Sequence, residues 1–475
     1  MQNLAVIAAA IAEQTLRSQQ LLEAAQAQAE RCADLNALAY VDWAAALEQA
    51  RQLDAEAAAG RRRGPLHGIP ISIKDLYVVR GMPTRAGTRA PLPALLPADT
   101  DGGAGGETAV HESPSGSAVP HGGAGRDEAE LAARLREAGA LLFAKANMHE
   151  IALGATGENL WTGDVKNPFD PARQSGGSSS GSGVAVATGI GLASIGSDTG
   201  GSVRIPAAFC GVVGFKPGYG AIPLDGALPL SWTCDHAGPL ANSVADCALL
   251  FEVMARRRAA HGSVARRPRL HVPAAWLEGR LQPVVRDAFV RLLARLATHG
   301  VELGQAAPPS LPRAFEAYTP IARAEAAYVH RAALAGDASG FSELVLPALR
   351  AGEQLTALDY LDAMKRRAVL SAELDAALAD CDALILPTSA ILPPPRGQVD
   401  VQVEGGRLTV REAVLGQTLP FSLCGLPTLS IPVGLVEGLP FGLQVVGRRD
   451  GDASLLALGG WIEEKVGERP HAPGC

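Results

Sequence analysis

Residues 175–217 read SGGSSSGSGVAVATGIGLASIGSDTGGSVRIPAAFCGVVGFKP, and the fold turns on how this stretch is understood. Two turns dense in glycine and serine, 175–183 and 196–204, bracket a run of small residues, VAVATGIGLAS, that reads as a helix. A glycine-dense turn lets backbone N–H groups converge on one point. A serine at the end of such a turn would be a nucleophile beside an oxyanion hole. The competing readings are a flexible linker and a phosphate cradle. A linker would not be hemmed in so tightly by apolar segments. A P-loop requires GxxxxGK[ST], and no lysine follows either cluster. The dinucleotide pattern GxGxxG also fits poorly, since no strand leads directly into a matching turn. On spacing alone, a catalytic serine and a structural turn both remain open.

Working outward, residues 1–60 are rich in Ala, Gln, Glu and Leu and predict two or three helices. The apolar run Leu4 to Ala12 has the look of a short signal core but lacks a basic segment before it, so it reads as a buried or amphipathic first helix. RRRGPLHG then breaks the helical pattern, and IPISIKDLYVV follows as a short strand with Lys74 and Asp75 inside it. Residues 98–126 hold eight glycines in 29 positions and read as a flexible insertion or flap. Residues 127–145 predict an amphipathic helix, a glycine turn and a strand. Residues 240–300 and 306–380 are mainly helical, and 383–447 alternates apolar strands with Pro and Gly. Strands mixed with helices throughout predict an α/β architecture around a central mixed sheet. The expected organisation is a helical segment 1–60 packed on one catalytic domain 61–467, followed by a short tail 468–475.

Composition narrows the function. Hydrophobic residues are 47% and charged residues 19% of the 475, enough to build a large core. The net charge of −7 excludes a protein built around a basic nucleic-acid or anionic-lipid face. No apolar window approaches 18 residues, so no membrane span is expected. Seven scattered cysteines with no CxxC predict reduced thiols in a cytoplasmic protein, without a disulfide framework or zinc knuckle.

A serine nucleophile needs a base. GxSxG is absent around Ser202, and none of His67, His149 or His236 sits in a setting that marks a triad histidine. Lysine is scarce, six against 36 arginines, and Lys74 stands within an apolar strand. Burial disfavours its charged form, which would make it a feasible general base. A surface ion pair with Asp75 is disfavoured, because neighbouring strand residues face opposite ways.

With these segments in view, the chain resembles the amidase signature family of serine hydrolases over roughly residues 20 to 460. The resemblance rests on Gly68-Ile69-Pro70-Ile71-Ser72-Ile73-Lys74-Asp75, the Gly176-Gly177-Ser178-Ser179 turn, the run Ser197 to Ala207, and Gly211 to Pro217. Pro427 to Pro432 and Phe441 to Gln444 extend it to the C-terminal part. The family fold implied is a central mixed, mostly parallel twisted β-sheet with helices on both faces. The family's Ser–cis-Ser–Lys triad falls, position by position, on Ser202 as nucleophile, Ser178 as bridging serine after a cis Gly177–Ser178 bond, and Lys74 as base. The backbone N–H groups of Thr199, Gly200, Gly201 and Ser202 fall on the oxyanion hole. Ser179, Asp198 and Arg204 fall on supporting positions, and Ala152, with Ser178, on the strip lining the substrate pocket. Two departures stand out: 98–126 is longer than the family segment, and Ser180 replaces a common glycine.

What the resemblance implies is hydrolysis of small aryl or alkyl amides through an acyl-enzyme, with esters and carbamates (urethanes) as further candidates. No cofactor and no metal are expected, and chelators should leave turnover unchanged. The expected partner is a small-molecule amide, with no nucleic acid and no membrane, in a monomer or homodimer. The rival is the amidase (glutaminase) subunit of a tRNA-dependent amidotransferase. Its tyrosine-rich helix and Arg-bearing segment are not evident in LTALDYLDAMKRRAVLSAELDAAL, which is more similar to free-standing amidases. A non-catalytic binding protein on this fold would be expected to have lost Lys74, Ser178 or Ser202. Trp161, Trp232, Phe315, Tyr318 and Tyr360 are candidate walls of a largely apolar pocket.

Overall fold

The computed structural model describes residues 3–96, 127–259 and 267–473. The glycine-rich stretch 98–126 lies outside them, as do the last two residues of the tail. An eleven-stranded sheet carries the fold, in the spatial order Leu38–Val41, Leu141–Ala146, Pro70–Lys74, Ala193–Asp198, His236–Ala241, Val213–Lys216, Thr428–Val436, Leu439–Val446, Ala383–Pro387, Arg269–Val272 and Glu302–Gln305. The sheet is mixed, as expected. Its parallel pairings form two blocks, one on either side of Pro70–Lys74 and one on either side of Arg269–Val272. The strands between and beyond these blocks pair antiparallel. Parallel order is thus concentrated in these two blocks, and antiparallel pairings are the more numerous.

Both faces of the sheet are covered, and strand alternation shows how. In Leu141–Ala146, Leu142 joins the main hydrophobic core, while Leu141 and Phe143 join a second core on the other face. The second face is covered by the helices Ser18–Arg31, Trp43–Ala58 and Ser180–Thr188, through Leu22, Ala50, Leu53 and Val184. Leu131, Phe251, Leu292 and Ile462, from four other helices, pack into the main core. Strands buried on both faces read as continuous apolar runs, which is why LLFA and ALIL stand out in the sequence.

Two expectations need revision. The segment 1–60 contributes a strand as well as helices: Leu38–Val41 pairs antiparallel with Leu141–Ala146 at the sheet edge. Its alternation is too short to announce itself. The thiols are not uniformly reduced either. Cys210, Cys234, Cys247, Cys381 and Cys424 are free and buried, but Cys32 is disulfide-bonded. The first helix, Leu4–Ala12, is buried through Leu4, Ile7 and Ile11, and its start is held by the Leu4 N–H donating to Asp246 at 2.6 Å. No helix among the described residues is long and apolar enough to cross a membrane.

Candidate active site

The parallel block around Pro70–Lys74 brings the site together. Ile73 lies beside Ile195 in register, so Lys74 and the Ser197–Asp198 end of the neighbouring strand emerge at the same edge. Both strands have their carboxyl ends there, the position where open α/β sheets place their ligand sites. The Gly177–Ser178 peptide is cis. It presents Ser178 just before the Ser180–Thr188 helix, and the Ser178 carbonyl accepts the His149 N–H at 3.1 Å.

Lys74 is fully buried, and its Nζ lies 2.7 Å from Ser178 Oγ and 2.8 Å from Ser197 Oγ. Among the described residues it touches no carboxylate. Burial drives its pKa down to about 7, against the pull of Asp198 and Asp235 toward the charged form. A substantial neutral fraction at ordinary pH follows, with a lone pair aimed at hydroxyls. Burial alone did not single Lys74 out, since Lys145 and Lys216 are equally buried. Lys145, however, pairs with Asp75 at 3.1 Å, and Lys216 donates to the Pro217 carbonyl at 2.8 Å. Asp75 therefore pairs with Lys145 and not with Lys74.

Ser202 closes the second turn. Its carbonyl accepts the Ser179 N–H at 3.2 Å, which ties it to the cis turn. Ser179 Oγ in turn links to the Ser197 backbone, donating to the carbonyl at 3.1 Å and accepting the N–H at 3.2 Å. Gly196 is needed there: a Cβ on it would stand 2.7 Å from Ser179 Oγ. The Thr199–Ser202 segment uses its carbonyls and leaves its N–H groups available. Gly200 C=O accepts from Thr418 Oγ1 at 2.6 Å and Gly201 C=O from the Ile205 N–H at 2.8 Å. None of the four N–H groups from Thr199 to Ser202 donates to a protein acceptor among the described residues. Buried donors without acceptors are rare in folded proteins, so this row of N–H groups is free to meet an acceptor from outside the chain. Gly201 sits at φ +142°, and a Cβ there would come within 2.2 Å of Thr418 Oγ1, so no other residue fits this turn.

Asp198 and Arg204 brace the turn from beneath. Arg204 Nη2 and Nε reach the two Asp198 oxygens at 2.9 and 3.0 Å. Its other contacts go to the Thr418 carbonyl, Gln444 Oε1 and Ser422 Oγ. Burial would raise the Asp198 carboxyl, but the Arg204 guanidinium holds it well below the usual carboxylate range. Removing one partner of such a pair strands a buried charge. Arg204→Met is therefore expected to lower stability by about 3–5 kcal/mol, read as a shift in the urea midpoint; a variant of unchanged midpoint would exclude the bracing role.

Three residues around the site escaped the sequence reading. Ser197, the second partner of Lys74, was visible only as the first letter of a motif. Asp235 accepts from Thr199 Oγ1 at 2.6 Å and from the Leu230 and Ser231 N–H groups, and burial raises its pKa to about 7. Thr418 grips Gly200 from more than two hundred residues away, and no local pattern announces it. Ala152 ends the short helical turn Glu150–Ala152, its N–H donating to the His149 carbonyl at 3.1 Å, next to the residue that holds Ser178. The three histidines are buried without serving as a base. His67 contacts the Leu53 carbonyl, His236 the Asp198 carbonyl and His149 the Thr156 hydroxyl. Of the aromatic candidates, Tyr318 comes nearest the turn: a Cβ on Gly200 would stand 2.7 Å from its hydroxyl.

A mixed sheet that presents a buried lysine, two serine turns and a row of unused N–H groups at one edge defines an enzyme class that cleaves amide bonds. The chain belongs to the amidase family, whose model matches residues 20–101 and 108–456. It is similar to a solved amidase with 49% identity, covering 98% of this chain and 100% of that one at a TM-score of 0.90. It is also similar to a peptide amidase from Stenotrophomonas maltophilia with 26% identity, covering 100% and 98% of the two chains at a TM-score of 0.78. Among curated relatives, the A subunit of the glutamyl-tRNA(Gln) amidotransferase of Symbiobacterium thermophilum is 33% identical over 90% of this chain and 88% of its own length.

Proposed function

We propose that the protein hydrolyses small amides through an acyl-enzyme on Ser202. The observation that carries this reading is the contact of buried Lys74 with Ser178, beside a turn whose N–H groups have no acceptor among the described residues. Neutral Lys74 takes the Ser178 proton as Ser178 takes that of Ser202. Ser202 Oγ attacks the amide carbon, and the carbonyl oxygen develops negative charge against the N–H groups of Thr199 to Ser202. The proton returns through Ser178 to the leaving nitrogen, the C–N bond breaks, and water repeats the sequence to free the acid. Esters and carbamates are open to the same steps. Ser197 holds Lys74 from its other side and keeps the amine directed at Ser178.

The curated relatives favour a second reading, in which the same chemistry releases ammonia from glutamine within an amidotransferase. The 49% identity to a solved amidase favours the free-standing one. The two separate in one assay of the purified chain alone, against a p-nitroanilide, an anilide, a primary amide, a p-nitrophenyl carbamate and glutamine. Release of aniline or nitrophenol at rates well above glutaminase supports the free-standing amidase. A glutaminase trace alone, enhanced by partner subunits, replaces it with the second reading.

A further inference from the structure

The strands Ala193–Asp198 and His236–Ala241 pair antiparallel, with Asp198 opposite His236. One step beyond that ladder Thr199 and Asp235 face each other, and the Thr199 hydroxyl donates to Asp235 Oδ1 at 2.6 Å. Both residues are buried. Asp235 Oδ2 accepts the Leu230 and Ser231 N–H groups at 2.9 and 3.0 Å. Asp235 thus ties the first residue of the Thr199–Ser202 turn to the loop 230–235.

That loop is itself clamped. Ser231 Oγ and Thr233 Oγ1 donate to Glu325 at 2.7 and 2.8 Å, and the Tyr360 hydroxyl donates to the same carboxylate at 2.7 Å. Arg367 Nη2 donates to the Thr233 carbonyl at 2.8 Å. Glu325 belongs to the helix Ala314–Val329, and Tyr360 and Arg367 belong to the helix Ala357–Ala379. Asp235 is the inner end of a chain of contacts that two helices brace.

The turn needs such an anchor for a chemical reason. Serine and threonine hydroxyls in turns readily accept from backbone N–H groups close by in the chain. Thr199 stands at the head of four N–H groups that have no acceptor among the described residues, and its oxygen could satisfy the one two residues on, that of Gly201. In this structure the hydroxyl bonds to Asp235 and to no N–H of the turn. Thr418 and the Ile205 N–H hold the Gly200 and Gly201 carbonyls. Among the described residues, only Asp235 holds a side chain of the turn by a hydrogen bond.

We infer that Asp235 is a positioning residue for amide hydrolysis: by holding the Thr199 hydroxyl it keeps the N–H groups of the turn open to the developing oxyanion. The inference rests on the hydrolase reading. It gives Asp235 a part in rate and not in substrate affinity, because the oxyanion forms only as the carbonyl is attacked.

The test uses the full chain and steady-state turnover of an activated anilide. Thr199→Val removes the hydroxyl at nearly constant shape and keeps the backbone N–H. It should lower kcat about 10- to 100-fold, less than removal of an oxyanion donor outright, and leave KM within about twofold. Thr199→Ser, which keeps the hydroxyl, should recover most of that loss. Asp235→Ala should match Thr199→Val, and the double variant should be no slower than the slower single one, because the pair acts as a unit. If Asp235→Ala fails to give a cooperative melting curve, the valine and serine variants decide alone. A Thr199→Val kcat within about threefold of the parent, or a loss carried by KM, overturns the role. So does a serine variant no better than valine, or losses that add in the double variant. The parent chain separates this failure from that of the hydrolase reading. An active parent labelled on Ser202 by a fluorophosphonate, beside an unimpaired valine variant, overturns the role alone. A parent that neither turns over nor labels removes the hydrolase reading and the role with it.

Discussion

Ser202→Ala should abolish turnover and covalent labelling together. The alanine side chain has no oxygen to acylate, while the turn around it is held by backbone contacts that the substitution leaves in place. The Ser202 carbonyl still accepts the Ser179 N–H, Gly200 is still gripped by Thr418, and Asp198 still pairs with Arg204. Losing the nucleophile of a serine hydrolase costs about 10⁴- to 10⁶-fold in kcat, with the residual rate coming from the unused N–H groups and binding alone. The check is steady-state turnover of an activated anilide, with a fluorophosphonate label read on the same samples and a melting curve to show that the fold survives. Turnover within tenfold of the parent would place the nucleophile elsewhere.

Lys74→Ala is expected to have nearly as large an effect, orders of magnitude in kcat, because no other group touching Ser178 among the described residues can accept its proton. The parent enzyme should show the same dependence in its pH profile. With a pKa near 7, Lys74 is protonated below neutrality, so kcat/KM should fall about tenfold per pH unit there and level off above pH 7 to 8. Stability carries the opposite face of this shift. The unfolded lysine titrates near its ordinary value of 10.5, and the folded one near 7. Between these values the unfolded chain holds the extra proton, so this group's contribution makes stability rise with pH across that window. A profile flat through neutrality, or a Lys74→Ala variant that merely melts earlier while keeping its kcat, would make Lys74 structural.

Much of this was readable in the sequence where chemistry and local geometry coincide. Lys74 announces itself as a charge inside an apolar strand, and the two serine turns as glycine clusters between buried segments. What stayed hidden depends on register or on distance along the chain. Ser197 matters because its strand lies parallel to Pro70–Lys74, which a single sequence does not reveal. Thr418 and Ser422 reach the site across more than two hundred residues to hold Gly200, Asp198 and Arg204. Three equally buried lysines show the reverse problem. The apolar context of Lys145 and Lys216 resembles that of Lys74, and only the partners in the folded chain, a carboxylate and a carbonyl, separate them from a base. The Leu38–Val41 strand stays hidden because four residues at a sheet edge, between two helices, give too short a pattern to separate from a loop.

Acylation of Ser202 is the central claim, and mass spectrometry tests it most directly. The purified chain is treated with a fluorophosphonate, digested, and its adduct mapped. One modification is expected, on the peptide containing Ser202, lost in Ser202→Ala and slowed in Lys74→Ala. An adduct on any other residue, or labelling that persists in Ser202→Ala, would contradict it.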